Sequence, residues 1–268
     1  MSDAVWLYAV VPAGTRAPGP PAPTGVADEP VRLVAEGSLA AAVGSVPLGD
    51  FAEQPLKDHL EDLRWLEAAA RAHHQVIDAL SGVTGAVPLQ FATVYRDDAA
   101  VRAVLRDRAA DFTAAFERTR DRTEWGVKAY VDPEASPGPA ADGAEGAAGT
   151  SPGTAYLLRR RAQRDSKEEA YRRASERAER IRADLAGHAA ATAAHRPQDP
   201  RLAGYDGWMI LNDSYLVDRS AAGAFAEAVA ACGRRFPEVR VELSGPWPPY
   251  SFVGPRQDET GEYGEERS

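Results

Sequence analysis

The stretch from Pro133 to Gly153 holds Pro, Gly, Ala, Ser, Asp, Glu and Thr and not one large hydrophobic side chain. Such a segment cannot bury enough apolar surface to offset the entropy lost in ordering it, so no single core runs through it. It reads as a linker over 133–153 that separates a first domain, residues 1–132, from a second, residues 154–254. Thr260 to Ser268 is polar and acidic, so 255–268 is expected to be a disordered tail.

Each side of the linker mixes the two hydrophobic periods. In the first domain Val5–Val11 is a β-rich apolar run stopped by Pro12, and a loop crowded with Pro and Gly follows to Pro30. Val31–Glu36 and Ser38–Val43 flank Gly37 as the strands of a hairpin. Pro55–Leu80 is a helix with Pro in its first turn and Ser81-Gly82 as its stop. Within it His59, Leu63, Leu66, Ala70, His73, Ile77 and Leu80 recur at steps of four and three, on one seam. A short strand at Ala86–Phe91 comes next. A helix capped by Asp97 or Asp98 then runs to about Arg120, and a strand over Glu124–Val131 closes the unit. The expected layout is a sheet on one side and helices on the other.

The second domain opens with Tyr156-Leu157-Leu158. A charged helix follows from about Arg164 to near Gly187, with an extension to Ala194 open, and its seam is Tyr171, Ala174, Ala178, Ile181 and Leu185. Two of those five are alanine, so the seam suits a helix laid on a small sheet better than a coiled coil. Trp208–Leu211 and Tyr215–Val217 read as strands around an Asn212-Asp213-Ser214 turn. Ser220 caps a helix to about Arg234, and Val239–Leu243 alternates as a last strand. The fold class expected is α+β, in two small domains.

Composition narrows the functions. One cysteine, Cys232, excludes an intramolecular disulfide and a multi-cysteine zinc site, which fits a reducing, cytoplasmic setting. The N-terminal apolar run lacks the basic flank of a signal peptide, and no apolar stretch approaches the roughly 20 residues of a membrane span. The net charge of −9 argues against a general nucleic-acid binder. Ten Lys or Arg against five Asp or Glu lie between Arg159 and Arg182, so the remainder carries −9 − 5 = −14. An acidic body with one basic helix points to charge-guided protein contacts.

No constellation of catalytic type emerges. His73 and His74 point about 100° apart on a helix and do not chelate one ion, and His59 lies four turns away from His73. Asp97-Asp98 and Glu168-Glu169 have structural roles as a cap and as helix-face ion pairs. No phosphate-cradling glycine loop or Gly-x-Ser-x-Gly elbow is present. Catalytic, metal and cofactor sites are therefore expected to be absent. What remains is Gly245-Pro-Trp-Pro-Pro-Tyr-Ser-Phe252, where prolines stiffen the backbone and Trp247, Tyr250 and Phe252 project either into the domain or toward a partner.

That run resembles the C-terminal signature of the gas vesicle accessory proteins of the GvpL/GvpF family. Trp6–Val11 resembles the family's opening strand, Val87–Val94 its PLRFGT segment, Thr154–Leu158 its entry to the second domain, and Asn212–Asp218 its N-x-x-Y-L-V segment. The five occur in order from about residue 4 to 253. Gln90 and Ala92 stand where the family often has Arg and Gly. The resemblance implies two α+β domains, the first a modified ferredoxin-like unit, and no catalytic residues. It also implies a non-enzymatic role in gas vesicle assembly, in the cytoplasm and at the vesicle, through the small hydrophobic shell protein and other accessory proteins. Nucleic acid and membrane are not expected partners. Candidate contact residues are Arg160, Arg164, Arg172 and Arg173 on the basic helix with Trp247, Tyr250 and Phe252. The rival expectation is a small-molecule-binding or enzymatic α+β protein.

Overall fold

The computed structural model describes residues 3–16, 23–131, 152–196 and 207–254. Of the linker expected over 133–153, residues 133–151 lie outside them, as does the tail expected over 255–268, while Pro152 and Gly153 are helical. The chain forms two compact units, Met1–Glu124 with Pro246–Ser268, and Trp125–Gly245. The expected α+β mixture is present, with one sheet of five strands and one of four.

The first unit is built on β1 (Asp3–Pro12), β2 (Arg32–Glu36) and β3 (Leu39–Pro47), with β1 central between β3 and two short strands, β4 (Val87–Pro88) and β5 (Val94–Tyr95). The β2–β3 hairpin appears as expected. Glu36 pairs with Leu39, and Gly37 occupies the first loop position at φ 58°, where an L side chain is disfavoured.

Helices cover both faces of this sheet, not one. Short α1 (Leu48–Phe51) and long α3 (Leu63–Thr84) supply Phe51, Val76, Ile77 and Leu80 to a core with Trp6, Tyr8 and Val11, and α2 (Glu53–Glu61) lays partly buried Leu56 against it. On the other face α4 (Asp98–Asp107) and α5 (Ala109–Thr119) supply Val101, Leu105, Phe112 and Ala115 to a core with Val5, Leu7 and Val10. Two covered faces explain why every residue of β1 from Ala4 to Val11 is buried. The strand changes parity midway. Leu7 pairs with Val43 and Ala9 with Ala42, so Tyr8 is the extra residue of a bulge. Tyr8 and Ala9 consequently belong to the same core.

The expected helix over 55–80 is two helices. Asp62 leaves the helical region at φ −80°, ψ 106°, and its carboxylate accepts from the N–H groups of Arg64 (2.9 Å) and Trp65 (3.3 Å), starting α3 afresh. The seam breaks there, and Leu63, placed on it by spacing, is 78% exposed. Asp97 caps α4, as one of the two expected alternatives, by accepting from Ala100 N–H at 2.8 Å. Asp98 instead takes a bidentate ion pair from Arg32, at 2.7 and 2.9 Å.

The strand expected to close the first unit, β6 (Arg122–Val131), belongs to the second sheet, in the order β7 (Ala191–Ala194), β8 (Trp208–Asp218), β6, β9 (Val239–Trp247). Its Val127, Ala129 and Val131 join the second unit's core, and alternation alone does not tell which sheet a strand enters. The charged helix α6 (Pro152–Ala186) starts earlier than expected, with Pro152 in its first turn, and absorbs Thr154–Leu158. It does not continue to Ala194, because Ala191–Ala194 is strand β7. As expected it packs on the sheet. Ala174, Ala178, Ile181 and Leu185 meet Leu211, Tyr215 and Val217 of β8 (Trp208–Asp218) and Phe225, Val229 and Cys232 of α7 (Ala222–Arg235). β9 (Val239–Trp247) adds Val239. The expected turn at Asn212-Asp213-Ser214 is absent, since β8 runs through it. Its polar side chains find partners without one.

Candidate functional site

In the first unit, α3 offers two adjacent histidines to different neighbours. His73 is fully buried. Its Nδ1 accepts from Trp6 Nε1 at 3.1 Å, and its Nε2 lies 3.3 Å from the Leu89 carbonyl. An indole N–H only donates and a carbonyl only accepts, so the ring is the neutral tautomer protonated on Nε2. Burial pushes its pKa down to about 4. The rings of Trp6, Tyr8 and Phe91 surround it at 6.0, 5.4 and 5.5 Å. Phe91 reaches this box because the chain makes an excursion between the bonds Leu89 N–H to Tyr8 O and Leu7 N–H to Thr93 O. Ala92 turns it at φ 64°, a conformation suited to glycine. Tyr8 extends the network, its hydroxyl accepting from Val26 N–H at 2.8 Å while burial raises its pKa to about 12.

His74 faces the C-terminal run. The Tyr250 ring stands edge-on to it at 5.6 Å, and Pro248, Pro249 and Phe252 are buried. Glu124, itself buried, accepts from Ser251 N–H at 2.8 Å and from Ser251 Oγ at 2.6 Å. Arg118 Nη1 donates to the carbonyls of Phe252 (2.7 Å) and Gly254 (3.2 Å). The run is therefore a strap whose aromatics divide: Tyr250 and Phe252 point into the unit, and Trp247 is 50% exposed. Burial, with the charges of Asp78 and Glu124, raises the Tyr250 pKa. Its hydroxyl is buried and lacks a hydrogen-bond partner among the described residues.

In the second unit the polar part of β8 is tied down. Asp213, 2% exposed, accepts from Arg182 Nε at 2.8 Å, and that bond heads the causes that raise the Arg182 pKa. His195 Nε2 lies 2.9 Å from Ser214 Oγ, and Asn212 donates to the Arg196 carbonyl at 2.9 Å. Ser214 is buried within the β7–β8 ladder, so the His–Ser pair fastens two strands and does not present a nucleophile.

The candidate contact residues fall into both units. Arg160 and Arg164 are exposed on α6. Arg172 is paired with Glu169 and Glu176, each at 2.7 Å, and Arg173 is partly covered, with its Nε buried and lacking a hydrogen-bond partner among the described residues. Spacing missed the Trp6–His73, Glu124–Ser251 and Arg182–Asp213 pairs. Each joins residues far apart in the chain, and the one local signal was a polar residue in an apolar run. Among the described residues no group of three or more His, Cys, Asp or Glu is placed to hold a metal ion, and no helix is long and apolar enough to cross a membrane.

Three of the five segments that carry the family resemblance thus converge on His73 and His74. Residues 4–254 match the family described as gas vesicle synthesis protein GvpL/GvpF. The chain belongs to the GvpL/GvpF family. This GvpL/GvpF protein is 47% identical over 238 residues to gas vesicle protein L of Streptomyces sp. (strain CB03234), covering 89% of this chain and 88% of that one. It is 31% identical over 232 residues to gas vesicle protein F of the same organism, covering 84% and 88%. The crystal structures of GvpF from Anabaena sp. PCC7120 and from Microcystis aeruginosa share the fold, with TM-scores of 0.69 and 0.65 at 17% and 18% identity. Each comparison covers 94% of this chain, and 97% and 99% respectively of the two structures. A role connected with gas vesicles follows from membership of the family.

Proposed function

We propose that the protein acts in the cytoplasm as a non-enzymatic accessory factor in gas vesicle assembly, binding the small hydrophobic shell protein and other accessory proteins. The observation that carries this reading is the 47% identity to a gas vesicle protein L across 89% of the chain. Shell subunits expose apolar surface before they polymerise, and a partner with exposed apolar and charged groups can hold them in solution. Trp247, half-exposed, and the exposed Arg160 and Arg164 are the contact groups in this reading. Tyr250 and Phe252 hold the strap in place, while Arg172 and Arg173 serve from the same helix.

The test is co-expression of the shell protein with wild type, Trp247→Ala and Arg160→Glu/Arg164→Glu, followed by affinity capture in EDTA without nucleotide. The expected outcome is capture by wild type and reduced capture by both variants at unchanged circular dichroism. Wild-type capture by both folded variants would remove these residues from the contact. Failure of wild type to capture any shell protein would overturn the binding role.

A further inference from the structure

The strap Pro248–Gly254 runs from the end of β9 to the chain's last described residue, and among the described residues it enters no ladder. Within its own turn Tyr250 N–H donates to Pro248 O at 2.8 Å and Phe252 N–H to Pro249 O at 3.1 Å. Glu124 fastens it through Ser251, and Arg118 through the carbonyls of Phe252 and Gly254. The Arg118–Gly254 contact lies at the surface, where water competes for it, and the others are partly buried.

The closed position also carries a cost. The Tyr250 ring is packed on His74 beside the first core, yet its hydroxyl is buried without a hydrogen-bond partner among the described residues. Water satisfies that hydroxyl as soon as the strap lifts, so the cost falls on the closed state alone. Pro248 and Pro249 offer no N–H to anchor and keep the strap extended when it is off. Lifting it needs no strand to unpair.

From these features we propose that the strap is a releasable latch. It opens as a local unit while the sheet of the first unit stays folded, and opening turns Tyr250 and Phe252 outward and bares the His74 side of α3. The two placements open to the aromatic run, inward and toward a partner, are then the closed and open states of one element. This inference stands on the packing of the first unit and does not depend on the gas vesicle reading.

Hydrogen exchange of the full chain, read by mass spectrometry on peptides spanning 248–254 and β1, tests it. In wild type the strap amides are expected to exchange at least about 100-fold faster than those of β1, the mark of sub-global opening. Tyr250→Phe, which deletes only the orphan hydroxyl, is expected to slow strap exchange about fivefold. Glu124→Gln, which weakens the anchor, is expected to speed it about fivefold, with β1 unchanged in both. A strap that shares the protection of β1 in wild type overturns the latch. So does a Tyr250→Phe chain whose strap exchanges as fast as wild type or faster, an outcome that does not depend on whether Glu124→Gln folds.

Discussion

Trp6 donates its indole N–H to Nδ1 of His73 at 3.1 Å, across 67 residues of sequence. The bond needs that nitrogen unprotonated, and burial already depresses the ring's pKa to about 4, against about 6.5 in an unfolded chain. Between those values an unfolded chain binds a proton that the folded one refuses. Stability from this group is fully present above about pH 6.5 and is lost as pH falls toward 4, by ~3 kcal/mol in total. Urea melts of wild type and His73→Gln at several pH values between 7 and 4 check this. The wild-type curve is expected to fall more steeply, and parallel curves would mean that His73 is not the group responsible.

Ala92 turns the chain at φ 64°, at a position where the family often has glycine. A left-handed L residue costs about 1–2 kcal/mol, partly offset because glycine has more freedom to lose on folding. Ala92→Gly is therefore expected to stabilise the protein by about 0.5–1 kcal/mol in chemical denaturation. A loss of stability would show that the Ala92 methyl group, partly buried beside the first core, contributes more than the strain removes.

Gly25 and Tyr8 are coupled by shape. A Cβ at Gly25 would stand 2.3 Å from the Tyr8 hydroxyl oxygen, which also holds Val26 N–H. Gly25→Ala is expected to cost about 2–3 kcal/mol by overpacking. In a Tyr8→Phe background the same change meets a ring carbon at 3.3 Å, and the added cost should drop by half or more. A double-mutant cycle with additive effects would deny the coupling.

How far these relationships could be read in advance depended on their range in sequence. The hairpin at Gly37 and the cap at Asp97 are local, and turn and capping chemistry announces them. The break at Asp62 is local too, but the three-and-four spacing of Leu63 and Leu66 runs straight through it. The sheet membership of β6 is not local, since alternation at Val127, Ala129 and Val131 marks a buried strand and says nothing of its neighbours. Asn212-Asp213-Ser214 has the composition of a turn, and only the approach of Arg182 and His195 makes it tolerable inside a strand. The aromatics of the C-terminal run were legible as a group. Their division needed Glu124 and Arg118, residues that no spacing connects to them.

Asp213 supplies a buried charge whose partner comes from α6. Removing one member of such a pair leaves the other unpaired and costs about 3–5 kcal/mol. Arg182 is a third exposed, so the cost of Asp213→Ala is expected at the lower end, about 3 kcal/mol. Glu179 pairs with the same guanidinium from an exposed position, and Glu179→Ala is expected to cost under about 1 kcal/mol. Denaturant midpoints of the two variants measure the contrast, and equal shifts would place the burial of Asp213 in doubt.

Trp247 and Phe252 lie five residues apart in one run and should answer truncation in opposite ways. Phe252 is 6% exposed, and Phe252→Ala removes a packed ring at an expected cost of about 3 kcal/mol, together with loosening of the Arg118 bond to its carbonyl. Trp247 is half in solvent, so Trp247→Ala is expected to shift stability by under about 1 kcal/mol. If Trp247 is a contact group, its variant loses capture of the shell protein while its melting temperature holds. The Phe252 variant loses both, and recovers capture at a temperature low enough to refold it. A Trp247 variant that melts as early as Phe252→Ala would assign both rings to the fold and move the contact surface elsewhere.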